Sequence, residues 1–146
     1  MTGGLGPRTK GQVGEREAKA VILGWLEPVY SAAGRPLPSL ERNQMQSRMG
    51  GFDLVGIPWL ALEVKRQENE ALPDWWRQTV KQADEAAGQI PFLLWRKNRS
   101  PWRARVRIQT YHGPSCGLAV IDADLIFDEA KKWLQHEAWG RLQSKP

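Results

Sequence analysis

Two short stretches on either side of a turn constrain this chain most: Phe52-Asp53-Leu54-Val55 and Leu60-Ala61-Leu62-Glu63-Val64-Lys65, separated by Gly56-Ile57-Pro58-Trp59. A two-residue strand period puts Phe52, Leu54, Leu60, Leu62 and Val64 on one face of a hairpin and Asp53, Glu63 and Lys65 on the other. The simplest register pairs 53 with 63, 54 with 62 and 55 with 61. Asp53 then stands across from Glu63 with Cβ atoms about 4.5–5.5 Å apart, a destabilising placement for like charges unless a cation offsets them. Carboxylate oxygens suit a hard ion such as magnesium, which keeps several waters and takes one or two carboxylates together with substrate phosphate. Lys65 projects beside such an ion, where an ammonium orients an attacking water or offsets phosphate charge. A slip of one residue would send the acids to opposite faces. The alternative is an exposed Glu/Lys pair on a solvated strand face. An aspartate in register, the preceding Gly50-Gly51 and the apolar residues opposite favour the metal site.

At 146 residues the chain has the length of one domain with its own core. The expected division is a flexible arm over 1–10, rich in glycine, and a single domain over 11–146. Lys and Arg number 21 against 16 Asp and Glu, and the net charge of +5 favours a polyanionic partner such as nucleic acid. Cys116 is the only cysteine, which excludes an intrachain disulfide and suits a reducing cytoplasm. No apolar run approaches the ~18 residues of a membrane span, and the start lacks the apolar core of a signal peptide. A cytoplasmic protein with no membrane partner is expected.

From about Val13, the positions Ala18, Val21, Ile22, Trp25, Leu26, Val29 and Tyr30 recur at helical spacing, with Gly34, Pro36 and Pro38 ending the helix. A strand is expected around Leu40 to Met45. Pro73 opens a second helix with Trp76, Val80, Ala83 and Ala87 inward and Gly88 as its stop, and Gln78 and Gln82 lie one turn apart on it. Phe92 to Trp95 reads as a compact apolar strand. Beyond it Ala104, Val106 and Ile108 alternate with Arg103, Arg105 and Arg107, giving a strand with one apolar and one cationic face. From Asp122, the residues Leu125, Ile126, Ala130, Trp133 and Leu134 read as a third helix, with Asp122 or Asp124 as its cap.

Three motifs carry a family resemblance. Lys10-Gly11-Gln12-Val13-Gly14-Glu15-Arg16-Glu17 looks like a Lys-Gly-x-x-x-Glu-Arg-Glu helix opening. It is followed by Phe52-Asp53-Leu54-Val55-Gly56 with Leu62-Glu63-Val64-Lys65, and by Ile90-Pro91-Phe92-Leu93-Leu94 with Trp102-Arg103. Over about Lys10 to Ile108 the chain resembles the PD-(D/E)xK nuclease superfamily, and more specifically the archaeal-type Holliday junction resolvases and their phage relatives. It departs from the superfamily name in having Phe-Asp in place of Pro-Asp.

The resemblance implies an α/β fold with a restriction-endonuclease-like core, a central mixed β-sheet flanked by helices. It also implies a magnesium-dependent, structure-selective endodeoxyribonuclease, with manganese able to substitute. Such an enzyme cuts branched DNA as a homodimer and leaves 5′-phosphate and 3′-hydroxyl ends, in a bacterial or phage-infected cell. Asp53 and Glu63 would ligate the metal through side chains and Val64 through its carbonyl, while Lys65 would position the water. Glu15 would complete the metal site or position water, against the simpler reading of an acid favoured in a first helical turn. Gln82, or else Gln78, matches a polar residue that relatives carry on the helix after the Glu-x-Lys strand.

Arg16 either contacts phosphate or pairs with a neighbouring acid. Arg48, Arg66, Arg96, Lys97, Arg99 and the Arg103, Arg105 and Arg107 face would track DNA phosphates without reading sequence, the alternative for part of the set being a solvated edge that blocks aggregation. Trp25, Trp76 and Trp133 read as core, and Trp59, Trp75 and Trp102 as a subunit interface in preference to a surface that stacks on splayed bases. Two other readings are another nuclease of this fold (nicking, repair or restriction-like endonuclease, or exonuclease) and a non-catalytic DNA-binding module. Intact Glu15, Asp53, Glu63 and Lys65 argue against the module.

Overall fold

The amphipathic first segment forms helix α1 (Pro7–Ala32) in the computed structural model, which describes residues 7–43, 54–67, 69–86, 88–111 and 118–143. Asp53, Arg48, Gly50, Gly51, Phe52 and Cys116 lie outside the described residues. α1 begins ahead of the expected start at Val13, so residues 7–10, expected in the arm, form its first turn. It runs through Pro28 and stops at Gly34, whose φ of 66° is the left-handed conformation that glycine adopts at no steric cost. There Gly34 N donates to the Ser31 carbonyl at 3.1 Å and Arg35 N to that of Tyr30 at 2.9 Å.

The strands and remaining helices follow in the order β1 (Glu41–Arg42), β2 (Leu54–Val55), β3 (Leu60–Arg66), α2 (Leu72–Glu85), β4 (Ile90–Arg96), β5 (Arg103–Tyr111), β6 (Leu118–Leu125) and α3 (Phe127–Gln143). Among the described residues the strands make one six-stranded sheet in chain order. Every described neighbour pair is antiparallel except β3 and β4, which are parallel. Parallel neighbours need a crossover, and α2 supplies it. Leu54 pairs with Leu62, which is the expected hairpin register. In the turn, Gly56 has φ 135°, and a Cβ there would lie 1.9 Å from the Ser39 carbonyl oxygen, so only glycine lets the chain ahead of β1 approach so closely.

Helices cover both faces, and the result is an α/β fold with a central mixed β-sheet flanked by helices, as expected. On one face Ala18, Ile22, Trp25 and Leu26 of α1 and Ala130, Leu134 and Ala138 of α3 pack on Leu54, Leu60, Leu62, Val64, Phe92, Leu94 and Val106. On the other, Trp75 and Trp76 of α2 close over Leu93 and Trp95, and Ala83 with Ala86 sits on Ala61. Thr79, fully buried in α2, donates its hydroxyl to the Trp75 carbonyl at 2.7 Å and so carries no unsatisfied polar atom into the interior.

Two expectations are corrected. The segment from Asp122 is not helical; it stays extended through Leu125, and α3 starts at Phe127. Asp122 and Asp124 are strand residues opposite Arg107 and Arg105, and these cross-strand ion pairs outweigh the helical spacing of the apolar residues around them. The tryptophans expected at a subunit interface belong instead to the core. Trp75 and Trp102 are 7% and 5% exposed, and Trp59 packs half-buried with the Arg141 guanidinium 4.9 Å from its ring centroid. Among the described residues no helix is long and apolar enough to cross a membrane.

Candidate active site

β3 alternates as expected, but its charged face is roofed. Leu60, Leu62 and Val64 point to α1, while Ala61, Glu63 and Lys65 point to the side where Ala83 of α2 and Ala86 at its end lie on Ala61. Glu63 is therefore fully buried, at 0% exposure, and the solvated-pair alternative does not describe it. Lys65 Nζ lies 3.3 Å from Glu63 Oε1, with its side chain 22% exposed, so the ammonium links a buried carboxylate to the surface. A carboxylate taken wholly out of water needs a compensating positive charge. The pair makes β3 an unusual strand, since the row-mates of Glu63 and Lys65 on β4 are the apolar Leu93 and Trp95.

The helix that covers this face separates the two glutamines. Gln78 is exposed, whereas Gln82 is half-buried with its side-chain Oε1 closed to solvent. Gln82 thus belongs to the inward side of α2, and Gln78 does not.

Glu15 occupies a neighbouring corner. It lines a cleft of about 290 Å³ with Arg16, Lys19, Glu41, Arg42 and Leu54, and its Oε2 is 2.9 Å from Arg42 Nε. Leu54 links the corner to β3, because it pairs with Arg42 on one side and Leu62 on the other. Arg42, a partner that no motif pointed to, is on β1. Arg16 is exposed in the same cleft and, among the described residues, makes no ion pair with an acid.

The expected phosphate-tracking set divides. Arg103 and Arg99 are exposed and, among the described residues, engage no acid; Arg99 stands in a left-handed turn with φ 62°. Arg103, Lys97 and Arg96 line a second cleft of about 320 Å³ with Trp95, Ser100 and Glu70, and Lys97 Nζ is 3.7 Å from Glu70. Arg105 and Arg107 are committed within the sheet. Arg105 grips Asp124 through two bonds of 2.6 and 2.9 Å, and Arg107 reaches Asp122 at 3.5 Å and Asp84 at 3.9 Å. The hydrogen bond to Asp124 raises the Arg105 pKa above its ordinary value, with a smaller opposing effect of burial. Asp122 also accepts from Trp76 Nε1 at 3.0 Å, fastening α2 to the sheet edge. The expected cationic face of β5 is therefore an ion-paired ladder from Arg105 on, with Arg105 held by Asp124 and Arg107 by Asp122 and Asp84. Arg66 is likewise paired, with Glu17 at 3.1 Å.

Among the described residues no group of three or more acid, histidine or cysteine side chains is gathered as a metal site, and Asp53 lies outside those residues. Glu63 and the Val64 carbonyl are oxygen donors on successive residues of one strand, the donor chemistry that magnesium takes.

No protein-family model matches the chain, and no curated protein matches it. Among solved structures it is similar to that of Archaeoglobus fulgidus Hjc, a Holliday junction resolvase from an archaeal hyperthermophile. The TM-score is 0.45 and the identity 20%, over 84% of this chain and 96% of that one.

Proposed function

We propose that the protein is a metal-dependent nuclease that cuts branched DNA, four-way junctions above all. The observation that carries the reading is the fully buried Glu63 with Lys65 Nζ at 3.3 Å, on a strand whose hairpin partner begins one residue after Asp53. Burying an acid under a helix opposes stability unless it is offset, so an acid retained there points to use. In this reading Asp53, Glu63 and the Val64 carbonyl hold magnesium, or manganese in its place, with Glu15 completing the site from α1. Bound there, the ion would polarise the phosphodiester and acidify a water.

The chain's own groups do the rest. Lys65 orients the attacking water and offsets charge that develops on the phosphate, and Gln82 holds a polar contact from the α2 side. Arg16, Arg99, Arg103 and Lys97 hold the DNA backbone by charge, with shape supplying the selectivity. The products carry 5′-phosphate and 3′-hydroxyl ends. A symmetric dimer would present two such sites to the two strands that must be cut.

The test is cleavage of a labelled immobile junction beside a matched linear duplex, each with magnesium or EDTA, using wild type and Glu63→Gln. Paired incisions in the junction alone, absent with EDTA and in the variant, are the expected result. Equal cutting of the duplex would make the protein a general nuclease, and metal-independent binding without cutting would make it a binding module.

A further inference from the structure

Three charged side chains meet where α1 crosses the C-terminal ends of the two parallel strands. Arg66 and Arg96 are register partners ending β3 and β4, and both reach the carboxylate of Glu17. Arg66 Nη1 is 3.1 Å from Oε1, and Arg96 Nη1 is 3.4 Å from Oε2. Two guanidinium groups on adjacent strand ends repel each other, and one carboxylate set between them turns the repulsion into a bridge. Glu17 Oε2 and both arginine Nε atoms are closed to solvent, and the Arg96 guanidinium lies 5.4 Å from the Trp102 ring centroid. Salt therefore screens this bridge less than an ordinary surface pair.

Beside the bridge the helix backbone touches the strand directly, since a Cβ at Gly14 would stand 3.1 Å from Arg66 Cβ. Gly14 and Glu17 are three residues apart and share one helix face. Glu15, about 100° around from Gly14, turns toward Arg42. The first turns of α1 are thus held at one point by a glycine contact and a two-armed ion pair. Both act on Arg66, the residue that follows Lys65.

We infer that Glu17 is a positioning residue. It fixes the rotation and height of α1 over the ends of β3 and β4, and so sets where Glu15 stands relative to Glu63 and Lys65. The inference rests on the nuclease reading, because only there do Glu15, Glu63 and Lys65 act together. A bridge that merely stabilised the fold would lower the melting temperature when removed and leave the metal response of the folded protein as it was.

The test uses Glu17→Gln, which keeps the size and removes the charge, and Gly14→Ala, which disturbs the same seam from the helix backbone. Three quantities are measured on folded protein: hydrogen exchange over 13–20 and 62–67, manganese affinity by titration without DNA, and the magnesium needed for half-maximal junction cleavage. Expected are faster exchange in both segments and a manganese affinity roughly tenfold lower, the usual scale for loss of a group that supports a metal site. The magnesium requirement should rise in step, with little change in kcat at saturating magnesium and a smaller effect from Glu17→Asp. Wild-type manganese affinity and magnesium requirement in Glu17→Gln would overturn the inference. A wild type that neither binds manganese nor cleaves would overturn the nuclease reading alone. The exchange experiment would still decide whether Glu17 holds α1: faster exchange upholds the bridge, and unchanged exchange removes it.

Discussion

A buried acid beside a largely buried lysine is a poor choice for stability and a good one for chemistry, which makes Glu63 and Lys65 the residues whose substitution separates the two. Replacing both with apolar residues, Glu63→Leu with Lys65→Met, should leave stability unchanged or raise it by up to about 4 kcal/mol in chemical denaturation, while cleavage is lost. Lys65→Ala alone should slow junction cleavage by ~100-fold or more at saturating magnesium, measured in single turnover. Gly56 is the opposite case, a residue whose value is wholly structural. Gly56→Ala forces a Cβ to 1.9 Å from a backbone oxygen and a left-handed backbone on alanine, so at least about 2 kcal/mol of stability should be lost. The pairing of Leu54 with Leu62 was legible in the sequence, because the alternation and the turn between the two stretches permit few other registers. The complete burial of Glu63 was not, since a strand pattern says which residues share a face and nothing about what covers it. Glu17 was equally illegible as a bridge: its partners are 49 residues away at Arg66, and further still at Arg96.

At the scale of elements, α2 decides whether the charged face of β3 is interior or solvent. It is fastened by Trp75 and Trp76 on Leu93 and Trp95, and by the Trp76 hydrogen bond to Asp122. Trp76→Ala removes a buried indole and should cost about 3–5 kcal/mol in equilibrium unfolding, more than any exposed position on the same helix. Both this helix and α1 were readable from their 3.6-residue periodicity, with Gly34 and Pro73 marking boundaries close to those observed. The start of α3 is not legible in the same way, because Asp122, Asp124, Leu125 and Ile126 satisfy either period locally. Only the arginines of β5 across from Asp122 and Asp124 settle the matter, and they are a tertiary fact. The same pairing reshapes the expected DNA surface, and it does so for Arg105 and Arg107 while sparing Arg103.

Across the whole molecule that division has a measurable sign. Binding to a four-way junction, followed as affinity against salt, should lose about one unit of log–log slope in Arg103→Ala, as expected when one phosphate contact is removed. Arg105→Ala should change the slope less, because Asp124 already neutralises the lost charge, and should show instead as a small loss of stability.

The sheet runs in chain order from β1 to β6, so each strand finds its neighbour already made, but α1 and α3 pack together on the same face. On a ribosome α1 is made before the strands it packs on, and the part of its apolar stripe that α3 covers stays open until α3 follows the last described strand. The first helix, which carries Glu15, therefore settles onto its finished bed only late in synthesis. The covering of α1 is thus complete only after the rest of the described fold has been made, and until then α1 is a natural site for a chaperone to hold.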